Sequence, residues 1–448
     1  MPTIYSREAE GVRDDGRTRP HGLATILLPV VIGFVMWASP GNAETPPAAA
    51  PDFTLEEAVS LAVRDNANLQ RMRSQWEAMQ ERPAQAGALN DPMFSYSGMD
   101  LASGGTWPNT DEKYYMVEQE LPWFGKRGLR KGIAIQDAEI MRLEWVTMTR
   151  DVVMQVKESY FDLVAVREVI SMLREEDAVI QRIATVAETQ YATGERTQVD
   201  VLTAQTERTR LKQRLLDFQA QENTLQTKLN TLLNRRTDRP FGVRPPPLSD
   251  VGLNGTIETL LALAVTNRPE VLATQAQVER YELERQLMAR ESVPDYKLGV
   301  EYRDMGAGDD MVMFSIGVDL PIWRAKTRAG VQEAEKMRES SQAARENAEQ
   351  ISALEVQDAS FKLQTARRTL ELYRTELIPQ AKARFNASEG GYRAGKVEFM
   401  DLLESERALL EAKMMATLAE ATVGRQAARL ERAVGMDLGS GSFGGDVK

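Results

Sequence analysis

The sequence predicts an α+β membrane protein in which long antiparallel coiled-coil helices are joined to four β-strands per chain. Three observations predict it: an internal repeat of roughly 200 residues, alternating apolar runs of strand length, and helical patterns longer than a compact domain can hold.

Residues 1–43 read as an export signal. Arg13, Arg17 and Arg19 precede an apolar run from Leu23 to Ala38, and Gly41-Asn42-Ala43 supplies a small-x-small cleavage site, so the mature chain is expected to start at Glu44. Glu8, Glu10, Asp14 and Asp15 are unusual in such a signal and point to a translation start further downstream. A membrane anchor is the competing reading; Pro29, Gly33, the short run and its small-residue end disfavour it. No later stretch approaches the roughly 18 consecutive apolar residues of a spanning helix, so any crossing after the signal must use strands.

The start of each half carries the repeat: Thr54, Leu55, Glu56 and Leu61 recur as Thr256, Ile257, Glu258 and Leu263. Downstream, Leu121-Pro122 answers Leu320-Pro321, and Val156, Phe161 and Leu163 answer Val356, Phe361 and Leu363. The expected organisation is therefore a first repeat over 44–234, a Pro-rich connector over 235–254, a second repeat over 255–436 and a disordered Gly/Ser-rich tail over 437–448. Each repeat reads as a short helix, a β-hairpin and two very long helices. In the connector, Pro240 and Pro245 to Pro247 leave no room for a helix or a central strand.

Tyr296, Leu298, Val300 and Tyr302 alternate with polar residues, and Val312, Phe314, Ile316, Val318 and Leu320 do the same after the turn at 306–310. In the first copy Phe94 and Tyr96 open one strand, a loop holds Gly104-Gly105 and Pro108-Asn109, and Tyr115, Val117 and Leu121 mark the return. Four strands cannot close a barrel, and open edges in lipid leave backbone groups unpaired at several kcal/mol each. Several chains must then pool their strands; the competing reading is an open sheet covered by the chain's own helices.

A helical pattern runs from about Lys126 to Thr189, roughly 95 Å. Val153, Val156, Tyr160 and Leu163 keep core spacing in it, and Leu211, Leu215, Phe218, Leu225, Leu229 and Leu232 form the returning seam, interrupted by Glu222. The second copy repeats this from about Thr327, with a break expected at Pro379 and resumption after Gly395.

With 42% apolar and 27% charged residues, the chain has the composition of an ordered protein. Its net charge of −11 argues against nucleic acid as a partner. There is no cysteine and one histidine, His21, in the leader, which excludes disulfides, Cys/His zinc sites and His- or Cys-based catalysis. An enzyme is not expected, and no catalytic residue, cofactor or metal ligand is assigned. Met99, Met116, Met305, Met311 and Met313 cluster around the hairpins; thioethers suit Cu(I) or Ag(I), yet most of the methionines read as packing residues.

Doubled hairpins, four strands and four long helices over residues 52–436 resemble the TolC family of outer-membrane efflux channels. The resemblance implies a homotrimer: a 12-stranded transmembrane β-barrel in outer-membrane lipid, an α-barrel tunnel in the periplasm, a periplasmic adaptor (membrane fusion protein) and an inner-membrane pump. Gln119-Glu120-Leu121-Pro122-Trp123-Phe124-Gly125-Lys126-Arg127 is most similar to the branch serving heavy-metal efflux pumps of the RND type.

Each helical hairpin tip carries Tyr-x-x-Gly and then an aspartate: Tyr191, Gly194 and Asp200, and Tyr392, Gly395 and Asp401. Locally, the glycine suits a tight turn and the aspartate suits a positive helix start. The resemblance implies more, namely that these tips narrow the periplasmic mouth, meet the adaptor and are linked in the closed state by a tyrosine, an arginine and an aspartate. Arg196 follows the first glycine, whereas Val397 stands where the family's gate arginine would be. Asp401 and Glu404, one turn apart, form either carboxylate rings around a pore or a solvated helix face. The competing functions are a periplasmic adaptor, which would carry one hairpin between β domains, and a coiled-coil structural protein, which would leave the strands without purpose.

Overall fold

The computed structural model describes residues 52–99, 112–194, 197–244, 256–306 and 308–438. The export signal, the Gly104–Asn109 loop, Arg196, Pro245 to Pro247 and the tail from Gly439 lie outside the described residues.

The first copy runs β1 (Asp52–Phe53), α1 (Leu55–Asp65), α2 (Ala67–Gln80), α3 (Arg82–Gly87), β2 (Met93–Met99), β3 (Glu112–Leu121), α4 (Lys126–Ala192) and α5 (Gln198–Leu232). After β4 (Gly242–Val243), the second runs α6 (Ile257–Asn267), α7 (Pro269–Arg290), β5 (Asp295–Asp304), β6 (Met311–Asp319), α8 (Arg324–Leu372), a π-helical turn (Tyr373–Leu377), α9 (Ile378–Arg393) and α10 (Phe399–Val434).

Two features correct the sequence reading. The short opening helix is followed in each copy by a further one, α2 or α7; Asn66 separates α1 from α2 by accepting from the N–H groups of Asn68 and Leu69 at 3.0 and 3.1 Å. The connector also holds a strand, because β4 pairs in parallel with β1. That pair lasts two residues and is held from the side: the Tyr160 hydroxyl donates to Phe53 O at 2.7 Å and accepts from Arg244 N at 3.1 Å, and Phe53 stacks on Phe241.

At 67 residues, α4 is about 100 Å long. It packs between α5 and α10, while α8 packs on α7 and α10. Val152, rather than Val153, joins Val156, Tyr160 and Leu163 in the core. The expected α5 seam is present, and its Glu222 accepts from Arg167 Nε of α4 at 2.8 Å. Complementary charges tie α4 to α10: Asp151 to Arg432 at 2.6 Å, Glu158 to Arg429 at 2.6 Å and Asp162 to Arg425 at 2.7 Å.

Pro379 does not break the second long helix. A proline ring collides with the carbonyl four residues back, and the widened π-helical turn immediately before it lets the axis continue into α9.

Candidate functional site

Four strands form one antiparallel sheet in the order β2-β3-β5-β6. Its register lines up one apolar face in rows: Phe94, Val117, Val300 and Phe314 in one, Tyr96, Tyr115, Tyr302 and Val312 in the next, Leu121, Tyr296 and Val318 at the far end. In an ordinary two-layer domain a helix would cover this face. Here Phe314 is 78% exposed and Ile316 76%. Aromatic rows bound the band. Tyr96, Tyr115 and Tyr302 lie ring to ring at one end, and Trp123 lies 5.5 Å from Tyr296 at the other, with exposed Phe124 and Trp323 beyond.

The opposite face is polar, with Glu118, Glu120, Lys297, Glu301, Arg303, Ser315 and Asp319. Lys297 pairs with Asp319 at 3.1 Å and Arg303 with Glu301, so Glu118 and Glu120 leave the face acidic.

Lys126 joins sheet to helices. Its side chain is buried, and Nζ donates to Val293 O and to the Asp295 carboxylate, both at 3.0 Å, with Glu291 at 3.4 Å. Trp123 N donates to the same aspartate at 2.6 Å. Gly125 makes this corner with φ of +88°, and the Arg290 guanidinium occupies the space its side chain would fill. The Leu-Pro-Trp-Phe-Gly-Lys stretch therefore has a local mechanical reason.

At the other end of the helices stand the tips. Gly194 and Gly395 have φ of +79° and +70°, as the tight turns require. In the second tip Lys396 N donates to Gly391 O at 2.8 Å and Gly395 N to Tyr392 O at 3.0 Å, a Schellman closure. Val397 packs against Gly391, where a Cβ would meet Val397 Cγ2 at 2.4 Å. The valine in place of an arginine thus closes its own turn.

The two tyrosines part company. Tyr392 is 9% exposed, lies against Phe399 and donates its hydroxyl to Gln190 Oε1 of α4 at 3.1 Å, tying one tip to the other. Tyr191 is 47% exposed. Asp200 and Asp401 occupy the first turns of α5 and α10. Within the chain, Tyr191, Asp200 and Asp401 form no side-chain hydrogen bond or ion pair among the described residues. Asp401 and Glu404 are both exposed, and Arg384 of α9 lies 3.7 Å from Glu404.

Behind the tips is a feature the sequence reading missed. Glu176 of α4 and Glu406 of α10 are both buried and lie together, with Glu207 of α5 beside them held by Arg407. Burial and then the Glu406 charge push Glu176 up to about 8, and burial raises Glu406 as well. The available signal was a carboxylate inside each seam: Leu173, Glu176, Ile180 on α4 and Leu402, Glu406, Leu409 on α10.

No group of three or more His, Cys, Asp or Glu side chains among the described residues is arranged to hold a metal ion. No helix among them is long and apolar enough to cross a membrane.

Comparison with known proteins places this geometry. Cobalt-zinc-cadmium resistance protein CzcC of Cupriavidus metallidurans is 24% identical over 374 residues, covering 82% of this chain and 87% of CzcC. The outer-membrane channel OprN superposes with a TM-score of 0.74 at 15% identity, covering 86% of this chain and 91% of OprN. CusC, solved in a study of transmembrane channel formation, gives 0.74 at 17% identity, covering 86% and 92%. VceC of Vibrio cholerae gives 0.71 at 16% identity, covering 86% and 96%. The fold is that of the TolC-like outer-membrane channels. The family model for outer membrane efflux protein matches residues 58–235 and 260–436, and the chain belongs to that family.

Proposed function

We propose that the protein is the passive outer-membrane exit duct of a tripartite efflux system, working as a homotrimer on heavy-metal cations. The observation that carries this reading is the four-stranded sheet with an uncovered apolar face, a polar reverse and two free edges, β2 and β6. Three such sheets joined β6 to β2 give twelve strands, an even antiparallel count within the range of outer-membrane barrels, and leave no edge in lipid. The aromatic rows at the ends of the apolar band suit the two membrane interfaces. Helices α5 and α8 both carry exposed apolar side chains, among them Leu202 and Leu216 on one and Leu354 and Phe361 on the other, which trimer assembly would bury.

In this reading an inner-membrane RND pump supplies the energy, and a periplasmic adaptor docks on the tips around Tyr191, Gly194, Arg196, Asp200, Tyr392, Gly395, Asp401 and Glu404. Heavy-metal cargo is supported by the likeness to a cobalt-zinc-cadmium resistance protein and by the acidic face of the sheet. Tests belong in planar bilayers. The protein should conduct with a preference for cations, and Asp401→Ala should weaken that preference more than Glu404→Ala, because Arg384 already offsets Glu404. A preference unchanged in both variants would remove the tips from the selectivity of the duct.

A further inference from the structure

The sheet sorts its side chains by face, and methionine is sorted against its own polarity. Every valine, leucine, isoleucine and phenylalanine of the four strands lies in the apolar rows. The methionines Met93, Met116, Met311 and Met313 lie on the acidic face instead. Packing within the chain does not account for this: Met311 is 45% exposed and Met313 39% exposed, and an apolar side chain gains nothing by facing water. Met116 and Met313 flank Glu301 in a single cross-strand row. The Met116 methyl and the Ser315 hydroxyl both reach over Gly299, into space that a side chain there would contest. Met313 Sδ lies 3.7 Å from Arg303 Nη2, and that guanidinium is already neutralised by Glu301.

We propose that this face, on which Met116 and Met313 bracket Glu301 beside Met311, is a thioether-lined passage for soft monovalent metal ions, Cu(I) and Ag(I). The inference rests on the duct reading above, and it gives Met116, Met311 and Met313 a role other than packing. Thioethers are soft, uncharged donors that prefer Cu(I) and Ag(I) to harder divalent ions. They are the only sulfur ligands available, since the chain has no cysteine. Thioethers spaced along the strands and repeated on three chains let an ion pass from site to site, and the acidic surroundings raise its local concentration. Binding that is weak and repeated also allows the ion to leave.

The test uses the full-length protein in planar bilayers, with potassium nitrate on both sides and silver nitrate as the probe. Silver should interrupt the potassium current of the wild type. The Met116→Leu/Met311→Leu/Met313→Leu variant keeps apolar side chains of similar volume and loses the sulfur; it should conduct potassium normally and need about tenfold more silver for the same block. Met313→Leu alone should shift the block part of the way. An equal silver response in wild type and triple variant overturns the proposal, and so does a wild type that conducts potassium and ignores silver. A protein that carries no potassium current at all overturns the duct reading itself.

Discussion

Glu176 and Glu406 face each other where two charges cannot both be kept, so at neutral pH the pair holds a proton. Lys413 and Arg407 on α10, Glu207 on α5 and Glu389 on α9 are the other charges around it. Glu176 rises from an ordinary 4.5 to about 8, so the pair's contribution is fully present below the lower value and is lost as pH climbs through the upper one. The contact between the two hairpins should therefore weaken from mildly acidic to alkaline pH. Glu176→Gln removes the charge and offers Glu406 an amide donor in its place. It should flatten that dependence and raise the thermal midpoint by roughly 2–4 °C at alkaline pH, as read by circular dichroism of the purified protein; a midpoint that falls with pH as steeply as the wild type's would show the pair is not the cause. A polar residue in a heptad seam is visible in sequence, as Glu222 was. Its partner is not, because nothing in α4 alone says that α10 lies beside it.

Elements were legible where their period is strong. The alternation in β5 and β6 marks both strands and the apolar face, and the seam of α5 is present as read. Helix α7 escaped because few of its 22 residues are buried, and β1 and β4 escaped because two residues carry no period. Pro379 misled for a physical reason: a helix tolerates proline when the preceding turn widens. The corner at Lys126 makes a prediction at this scale. Lys126→Met would leave the half-buried Asp295 carboxylate without its cation, which costs less than the roughly 3–5 kcal/mol of breaking a fully buried pair. The yield of assembled protein in the outer membrane should drop, while Lys126→Arg, which keeps the charge, should retain more of it. Equal yields of wild type and Lys126→Met would remove this joint from assembly.

At the level of the whole molecule, the repeat was readable from end to end, and its value lies in what it leaves unfinished. Phe161 packs its ring on Gly424 of α10, where an added Cβ would meet it at about 2.5 Å. Phe361, its counterpart in the second copy, is exposed. Three chains in a ring would give Phe361 the helix α5 of the next chain, as α10 serves Phe161 within one chain. Phe361→Glu should then shift the detergent-extracted protein from trimer to smaller species on gel filtration; an unchanged elution would place this side chain outside the interface. The tips were legible as a motif, whereas the different fates of Tyr191 and Tyr392 were not, because they depend on Gln190 across the gap between hairpins.

All of this turns on whether three four-stranded sheets close one barrel. Native mass spectrometry of the protein extracted from outer membranes measures that directly. The account predicts a particle of three mature chains; a particle of one chain, or of two, would contradict it.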